Sequence, residues 1–385
     1  MSLTYTALQF FTREPREVVR IATAPNGEMT DVDWSDAELT VPYDSVAEIG
    51  EWLIATGRER ALIERLTRDC LRLDNPSLTS GIIVGIQTSA DHIYHLQRLR
   101  TDHYKCTPKG KGAVSYEVEV EDAIMKPLVS GPEAKRYAET ETDTYLLFPY
   151  ERGARGEMRL IPSDDLAQRF PNAWAHLRRW EQELRKRESN AFDDETWYRF
   201  GRNQNIDKQD VAKLIVPRLV QHMKCSLDPD GRFCLDNVDV GGILPATETE
   251  SNFLMAVLNA PVCDFVFRII SKPFQNDYRS ANRQFIAPLP IPNASAEARA
   301  DAATRAQRLQ QRWTERRNLL READDRLSVL ARARGPLAMA RSADFAGDGR
   351  PRAEGSAPHH GPPQVGRRTA RRDGGGACGG AAGGA

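Results

Sequence analysis

The sequence predicts an α+β fold of mixed strands with flanking helices, and three observations lead there. Between Asn252 and Ile270 the apolar residues Leu254, Leu258, Val262, Phe265 and Ile269 recur at spacings of three and four, the period of a helix packed on one side. Between Val114 and Glu121, Val114, Tyr116, Val118 and Val120 alternate with Ser115, Glu117, Glu119 and Glu121, the period of a half-buried strand with an acidic outer face. Ala173, Leu177, Trp180 and Leu184 form a second helical stripe, opposite Arg178, Arg179, Arg185, Lys186 and Arg187.

Bulk properties bound what such a fold can do. At 385 residues the chain is long enough for one large core or two smaller ones. Lys and Arg number 53 against 54 Asp and Glu, a net charge of −1, so any contact with a polyanion must use a local basic face. Six cysteines, at 70, 106, 225, 234, 263 and 378, show no C-x-x-C spacing and read as reduced, buried thiols. No apolar run reaches about 18 residues and the N-terminus has no signal-peptide core, so a cytoplasmic protein with no membrane contact is expected.

Taken in order, Leu3–Phe11 is a strand-like run and Pro25-Asn26-Gly27 a turn; Asp44–Leu73 becomes helical, with a break at Gly57. Ile82–Val84, a turn over Gln87–Asp91 and Ile93–Leu96 read as a hairpin, in which Gly85 would let backbone approach a phosphate or simply turn the chain. His92 and His95 invite a metal, but no Cys or carboxylate at ligand spacing completes a set. Lys105, Lys109 and Lys111 lie on a Gly/Pro loop suited to phosphate contact or to a solvated hairpin tip. Tyr145–Tyr150 and Glu157–Ile161 predict a hairpin with Arg152 and Arg155 at its tip; Ser163 with Asp164 and Asp165 predicts a helix start, and Pro171 a second one.

Trp197-Tyr198-Arg199-Phe200-Gly201-Arg202 would stack on an exposed base or serve as a core corner with snorkelling arginines. Lys224–Leu227 and Arg232–Val238 pair across the turn Asp228–Gly231. Asn259 and Pro261 cut the 252–270 run into two helices, a polar loop carries Arg279 and Arg283, and prolines alternating from Phe285 to Pro292 predict an extended edge segment. Leu309, Trp313, Leu320, Leu327 and Leu330 then fall near heptad spacing on a last helix. From Gly335 onward Gly, Ala, Arg and Pro dominate without period, which predicts a disordered tail.

The order of Gly85-Ile86-Gln87-Thr88-Ser89-Ala90-Asp91, Tyr145–Tyr150, Ile215-Val216-Pro217-Arg218, Leu258-Asn259-Ala260-Pro261, Asp264-Phe265, Tyr278-Arg279, Gln284-Phe285 and Leu289-Pro290-Ile291 resembles the TaqI-type specificity domain of adenine-specific DNA methyltransferases and type IIG restriction-modification enzymes. The resemblance implies a DNA-recognition module over 77–292. It also implies the end of an α/β methyltransferase domain over 1–43, a helical connector over 44–76 and a C-terminal helix over 293–334, followed by the tail 335–385. Double-stranded DNA is the partner it implies, with Lys105, Lys109, Lys111, Arg152, Arg155, Arg199, Arg202, Arg279 and Arg283 as candidate contacts. The Asn/Asp-Pro-Pro-aromatic loop and glycine-rich S-adenosylmethionine turn of that family do not occur here, since Asp74-Asn75-Pro76-Ser77 lacks the second proline and the aromatic. Recognition without catalysis and without a cofactor in this chain is therefore expected. S-adenosylmethionine would belong to a methyltransferase catalytic domain or separate subunit; the remaining alternative is an inert fragment.

Overall fold

The computed structural model describes residues 17–20, 40–42, 55, 57–237 and 239–333. The chain divides into two units, Met1–Arg326 and Leu327–Ala385, and the first of them holds the sheets and the hydrophobic cores. The tail from 335 and most of the 1–43 segment lie outside the described residues, apart from the antiparallel strands Val18–Arg20 and Thr40–Pro42.

One core is built on six strands in the order Cys234–Leu235, Met125–Val129, Thr144–Leu147, His95–Arg100, His103–Cys106 and Tyr116–Glu119. The first pair is parallel and the rest antiparallel. Helices Ser163–Arg169, Pro171–Arg179 and Glu181–Arg185 contribute to it. Of the predicted stripe Ala173, Leu177 and Leu184 are fully buried and Trp180 is half-buried; with the buried Leu166 they meet an aromatic cluster of Tyr94, Phe148, Tyr150, Trp197, Tyr198 and Phe200. Edge-to-face geometry recurs there, Tyr94 and Phe200 lying 5.3 Å apart at 83°.

The second core is aliphatic. Its four antiparallel strands run in the order Ser226–Asp228, Lys213–Pro217, Val240–Pro245 and Thr79–Val84. Glu248–Leu258 and Pro261–Ile270 bury Phe253, Leu254, Leu258, Val266 and Phe267 against it. The two-helix reading holds, with Pro261 in the first turn of the second helix. Asn259 is the C-cap residue of the first helix, its N–H donating to Met255 C=O at 3.3 Å, and its carboxamide accepts from Cys225 N–H at 2.9 Å and donates to Cys225 C=O at 3.0 Å. Cys106, Cys225, Cys234 and Cys263 are buried free thiols. No single helix among the described residues is long and apolar enough to cross a membrane.

Several local expectations are corrected. Thr79–Val84 and His95–Arg100 belong to different sheets, so 82–96 is no hairpin, and a short helix Asp91–Tyr94 fills the expected return. Gly85 does make a close approach, but to the chain itself: a Cβ there would collide with the carbonyl of Leu235. Ser226–Asp228 pairs with Lys213–Ile215 and Cys234–Leu235 with Leu128–Val129, so the Asp228 turn joins two sheets and not two partners. Residues 283–286 are helical, because Asn282 C=O accepts from Phe285 and Ile286 N–H; only Pro290–Pro292 is extended, antiparallel to Cys70–Arg72. Ser163 is the first helical residue and makes no cap bond, and Gly57 begins the Gly57–Asp69 helix where a break was expected.

The helix Ala296–Ala333 buries Ala306 in the second core. Ion pairs from Arg299 to Glu250, Arg317 to Glu139 and Arg321 to Glu141 tie down the part of it that lies in the first unit. Leu309, Trp313 and Leu320 remain 43%, 41% and 51% exposed.

Candidate nucleic-acid interface

At the free edge of the six-stranded sheet, residues 107–115 connect His103–Cys106 to Tyr116–Glu119. Lys109 and Lys111 stand exposed on that connection. Lys105 is not on the loop; it lies in the strand, directly across from Glu117. Facing cross-strand residues share a sheet face, so the acidic side of this hairpin is next to the lysines and not remote from them. Among the described residues no carboxylate lies within ion-pair distance of Lys105, Lys109 or Lys111. Lys109 does make its charge felt: burial, with Lys109 adding and Asp91 opposing, pushes His95 down to about 4.

A hairpin forms between Tyr150–Arg152 and Met158–Leu160, shifted from the expected one: Thr144–Leu147 pairs in the six-stranded sheet, and Arg152 lies in the strand opposite Met158 and not at the tip. Arg155 projects from its tip without an ion-pair partner among the described residues. Arg152 is fully committed: it grips Asp210 with two bonds of 2.9 and 2.5 Å and donates to the carbonyls of Gly156 and Asp207 at 2.9 and 3.0 Å. Beside it opens a cavity of about 540 Å³ lined by Tyr150, Met158, Arg199, Asn203 and Ile206, among others.

The Trp197–Arg202 segment takes the core reading. Trp197, Tyr198 and Phe200 are all buried, so none is available to stack on a base. Arg199 binds Asp194 at 2.7 Å and the carbonyls of Ala191 and Thr196. Arg202 donates to both carboxylate oxygens of Glu188 at 2.9 Å and, with Ser89 as a second donor, holds that carboxyl below its usual range. The expected basic face of the 171–187 helices is mostly compensated. Glu181 takes Arg178 and Arg185, and Glu121 caps the helix by accepting from the N–H groups of Asn172 and Ala173. Arg187 departs furthest from that face: it is buried and donates to the carbonyls of Leu184, Thr88, Trp197 and Arg199 at 2.9, 2.7, 2.6 and 2.8 Å.

In the aliphatic half, Arg279 pairs as strand with Val220 and turns its guanidinium onto Arg268 C=O at 2.6 Å, with Asp277 at 3.4 Å. Arg218, in the Ile215–Arg218 motif, closes on Asn282 and Asn237 C=O. Arg283 is exposed and has no ion-pair partner among the described residues. The nine candidates thus divide into Lys105, Lys109, Lys111, Arg155 and Arg283, which have no ion-pair partner among the described residues, Arg152, Arg199 and Arg279, which are held by the chain, and Arg202, which is held through Nη1 alone.

A further open set escaped the reading of the sequence. Arg308, Arg312 and Arg316 are exposed along one line of the terminal helix, four residues apart, without carboxylates within ion-pair distance among the described residues. Their neighbours Arg305, Arg317 and Arg321 all have partners. The spacing was visible; the compensation of the neighbours was not.

His92 Nε2 lies 2.8 Å from Glu183, and among the described residues no three His, Cys, Asp or Glu side chains gather as a metal-ligating group. Asp74–Ser77 is a local turn in which Asn75 Oδ1 accepts from the backbone and hydroxyl of Ser77.

No family model matches the chain. In sequence it is 24% identical over 228 residues to the type II restriction enzyme and methyltransferase RM.Eco57I of Escherichia coli, a match that covers 55% of this chain and 22% of that protein. The chain therefore spans about a fifth of that relative's length. Among solved structures, the type IIL restriction-modification enzyme MmeI in complex with DNA aligns with 63% of this chain and 33% of its own, at 11% identity and a TM-score of 0.36. By sequence, the chain is related to a restriction-modification enzyme.

Proposed function

We propose that this chain is the DNA-recognition part of an adenine-specific DNA methyltransferase of the restriction-modification type, with a TaqI-type specificity domain over 77–292. The observation that carries the reading is the 228-residue similarity to an enzyme named for both restriction and methylation. The open cations support it, because Lys109, Lys111 and Arg155 sit on loops presented by a rigid sheet and hairpin, where side chains reach a groove or its phosphates. In this reading S-adenosylmethionine, base extrusion and methyl transfer belong to a catalytic domain that precedes the module, whose end would be 1–43.

Fluorescence anisotropy on duplex DNA at several salt concentrations tests it. If three to five of the open cations meet phosphates, log affinity falls with log salt at a slope of roughly −3 to −4.5. A chain that is folded by circular dichroism and shows no salt-dependent binding would overturn the proposal and favour an inert fragment. A second reading, a specificity subunit that docks on a separate methylase, is favoured by the exposure of Leu309, Trp313 and Leu320 on the terminal helix. Co-sedimentation with a separately expressed catalytic subunit, lost on Leu309→Glu/Leu320→Glu, distinguishes it.

A further inference from the structure

The backbone departs most from ordinary geometry at Glu188, Ser189 and Asn190, which lie consecutively in left-handed space with φ of 47°, 60° and 69°. Ser89, whose hydroxyl donates to Glu188 at 3.1 Å, joins them at 57°. Such geometry at residues other than glycine is costly and persists only where the surroundings over-determine it. Here they do. The buried Arg187 guanidinium binds the backbone on both sides of the cluster, at Thr88 and at Trp197 and Arg199. Gly201 lets the two strands of chain meet, since a side chain there would collide with the Ser89 hydroxyl. Arg202 N–H donates to Gln87 C=O at 3.1 Å.

The outcome of this bracing is one exposed pair. Arg202 is 51% and Glu188 35% exposed, joined through a single guanidinium nitrogen, Nη1. Nε and Nη2 of Arg202 make no hydrogen bond among the described residues, so that edge of the guanidinium remains a free two-pronged donor. The Glu188 carboxylate accepts one bond from Ser89 and two from Arg202, which leaves about one of its roughly four acceptor sites vacant. Two free donors on Arg202 are therefore linked, through Nη1, to a carboxylate with one free acceptor site. The major-groove edge of a G·C pair offers the complement, two acceptors on guanine (N7 and O6) followed by the amino donor of cytosine.

Resting on the DNA-recognition reading above, we infer that Glu188 and Arg202 together read one G·C base pair, Arg202 donating to guanine and Glu188 accepting from cytosine N4. A phosphate contact fits poorly, because the carboxylate would face the phosphate as a like charge. A plain solvated ion pair needs no run of left-handed residues to fix it.

Binding-site selection on the purified chain from a pool of randomised duplexes, followed by anisotropy on single-pair variants of the selected site, tests the inference. The wild-type chain should select at least one G·C pair whose replacement weakens binding. Glu188→Gln and Arg202→Lys should each erase the preference at that same pair, a loss of about 5- to 150-fold in discrimination. Preference at the other pairs, binding to random duplex and the melting temperature should be retained. Lys109→Ala/Lys111→Ala, in contrast, should weaken all sequences alike. Wild-type binding with unchanged preferences in both variants, with a uniform loss over all sequences, or with no selected pair would overturn this assignment while leaving the DNA reading standing. Absence of any duplex binding by the wild-type chain would overturn both.

Discussion

Lys213 in the four-stranded sheet and Arg187 beside the six-stranded one are both buried cations, and they are satisfied in opposite ways. Lys213 is wholly inaccessible and faces an equally inaccessible Asp228 at 2.7 Å, with Gln209 C=O at 2.7 Å as a further acceptor. Asp228 also accepts from the N–H groups of Arg232 and Phe233, so the pair is neutral and closed. Arg187 binds four carbonyls and has no carboxylate within ion-pair distance among the described residues; burial lowers its pKa. The aliphatic half thus neutralises its buried charge, and the aromatic half uses backbone dipoles to hold loops around a surface. Whether a cation is open depends on which nearby carbonyls and carboxylates bind it, and not on how basic its stretch of sequence is.

The sharpest way to break this comparison is to remove one member of the closed pair. Asp228→Ala strands a buried lysine and should cost about 3–5 kcal/mol in denaturant unfolding; a loss below about 1 kcal/mol would mean that Lys213 reaches water. Next comes acid, which should act on the aromatic half. Burial lowers both His95, to about 4, and His176. Because the folded pKa lies below the unfolded one, stability is complete above pH 6.5 and falls as the unfolded state alone takes up protons between pH 6.5 and 4. His95 alone should account for about 3 kcal/mol over that window. Unfolding curves at pH 7, 5.5 and 4.5 that do not separate, or that separate equally in His95→Asn, would contradict this.

Arg187→Lys keeps the charge but cannot span four carbonyls, so it should cost about 2 kcal/mol. An unaffected midpoint would show the carbonyls to be water-served. Lys109→Ala/Lys111→Ala should change stability by less than about 0.5 kcal/mol, yet flatten the salt dependence of duplex binding by about two units. An unflattened slope would move the phosphate contacts elsewhere, first to Arg308, Arg312 and Arg316.

The legible parts of the fold are those where period and packing agree. The pair of helices around Pro261 and the Ala173 to Leu184 stripe could be read because the period of each element marks the face it buries; the expected 145–161 hairpin was read only in part, since Thr144–Leu147 pairs with His95–Arg100 and Met125–Val129 and leaves Tyr150–Arg152 to Met158–Leu160. Strand partners at long range could not: nothing in Ile82–Val84 says that Val240–Pro245 is its neighbour, so proximity suggested a false hairpin. For the candidate site, exposure of Lys109, Lys111 and Arg155 followed from Gly-rich loops. The engagement of Arg152 and Arg279 by the chain did not, because their acceptors, Asp210 and the Arg268 carbonyl, are set by tertiary contact. Arg187 looked like its solvated neighbours, and no local pattern marks a guanidinium aimed at a carbonyl contributed by a loop 99 residues earlier.

Pro290–Pro292 lies antiparallel against Cys70–Arg72, with Leu73 N–H bonded to Leu289 C=O at 3.0 Å. The chain therefore leaves for its long excursion through both sheets and comes back to within one strand's width of the point of departure. Everything from Leu73 to Leu289 is topologically a single stalked loop, and whatever is joined before and after it meets a stem of constant geometry. The stem is not the only tie: Ala306 sits in the second core and Arg299, Arg317 and Arg321 pair with Glu250, Glu139 and Glu141 inside the loop, so the chain that follows the stem clasps the loop along its body as well as at its root.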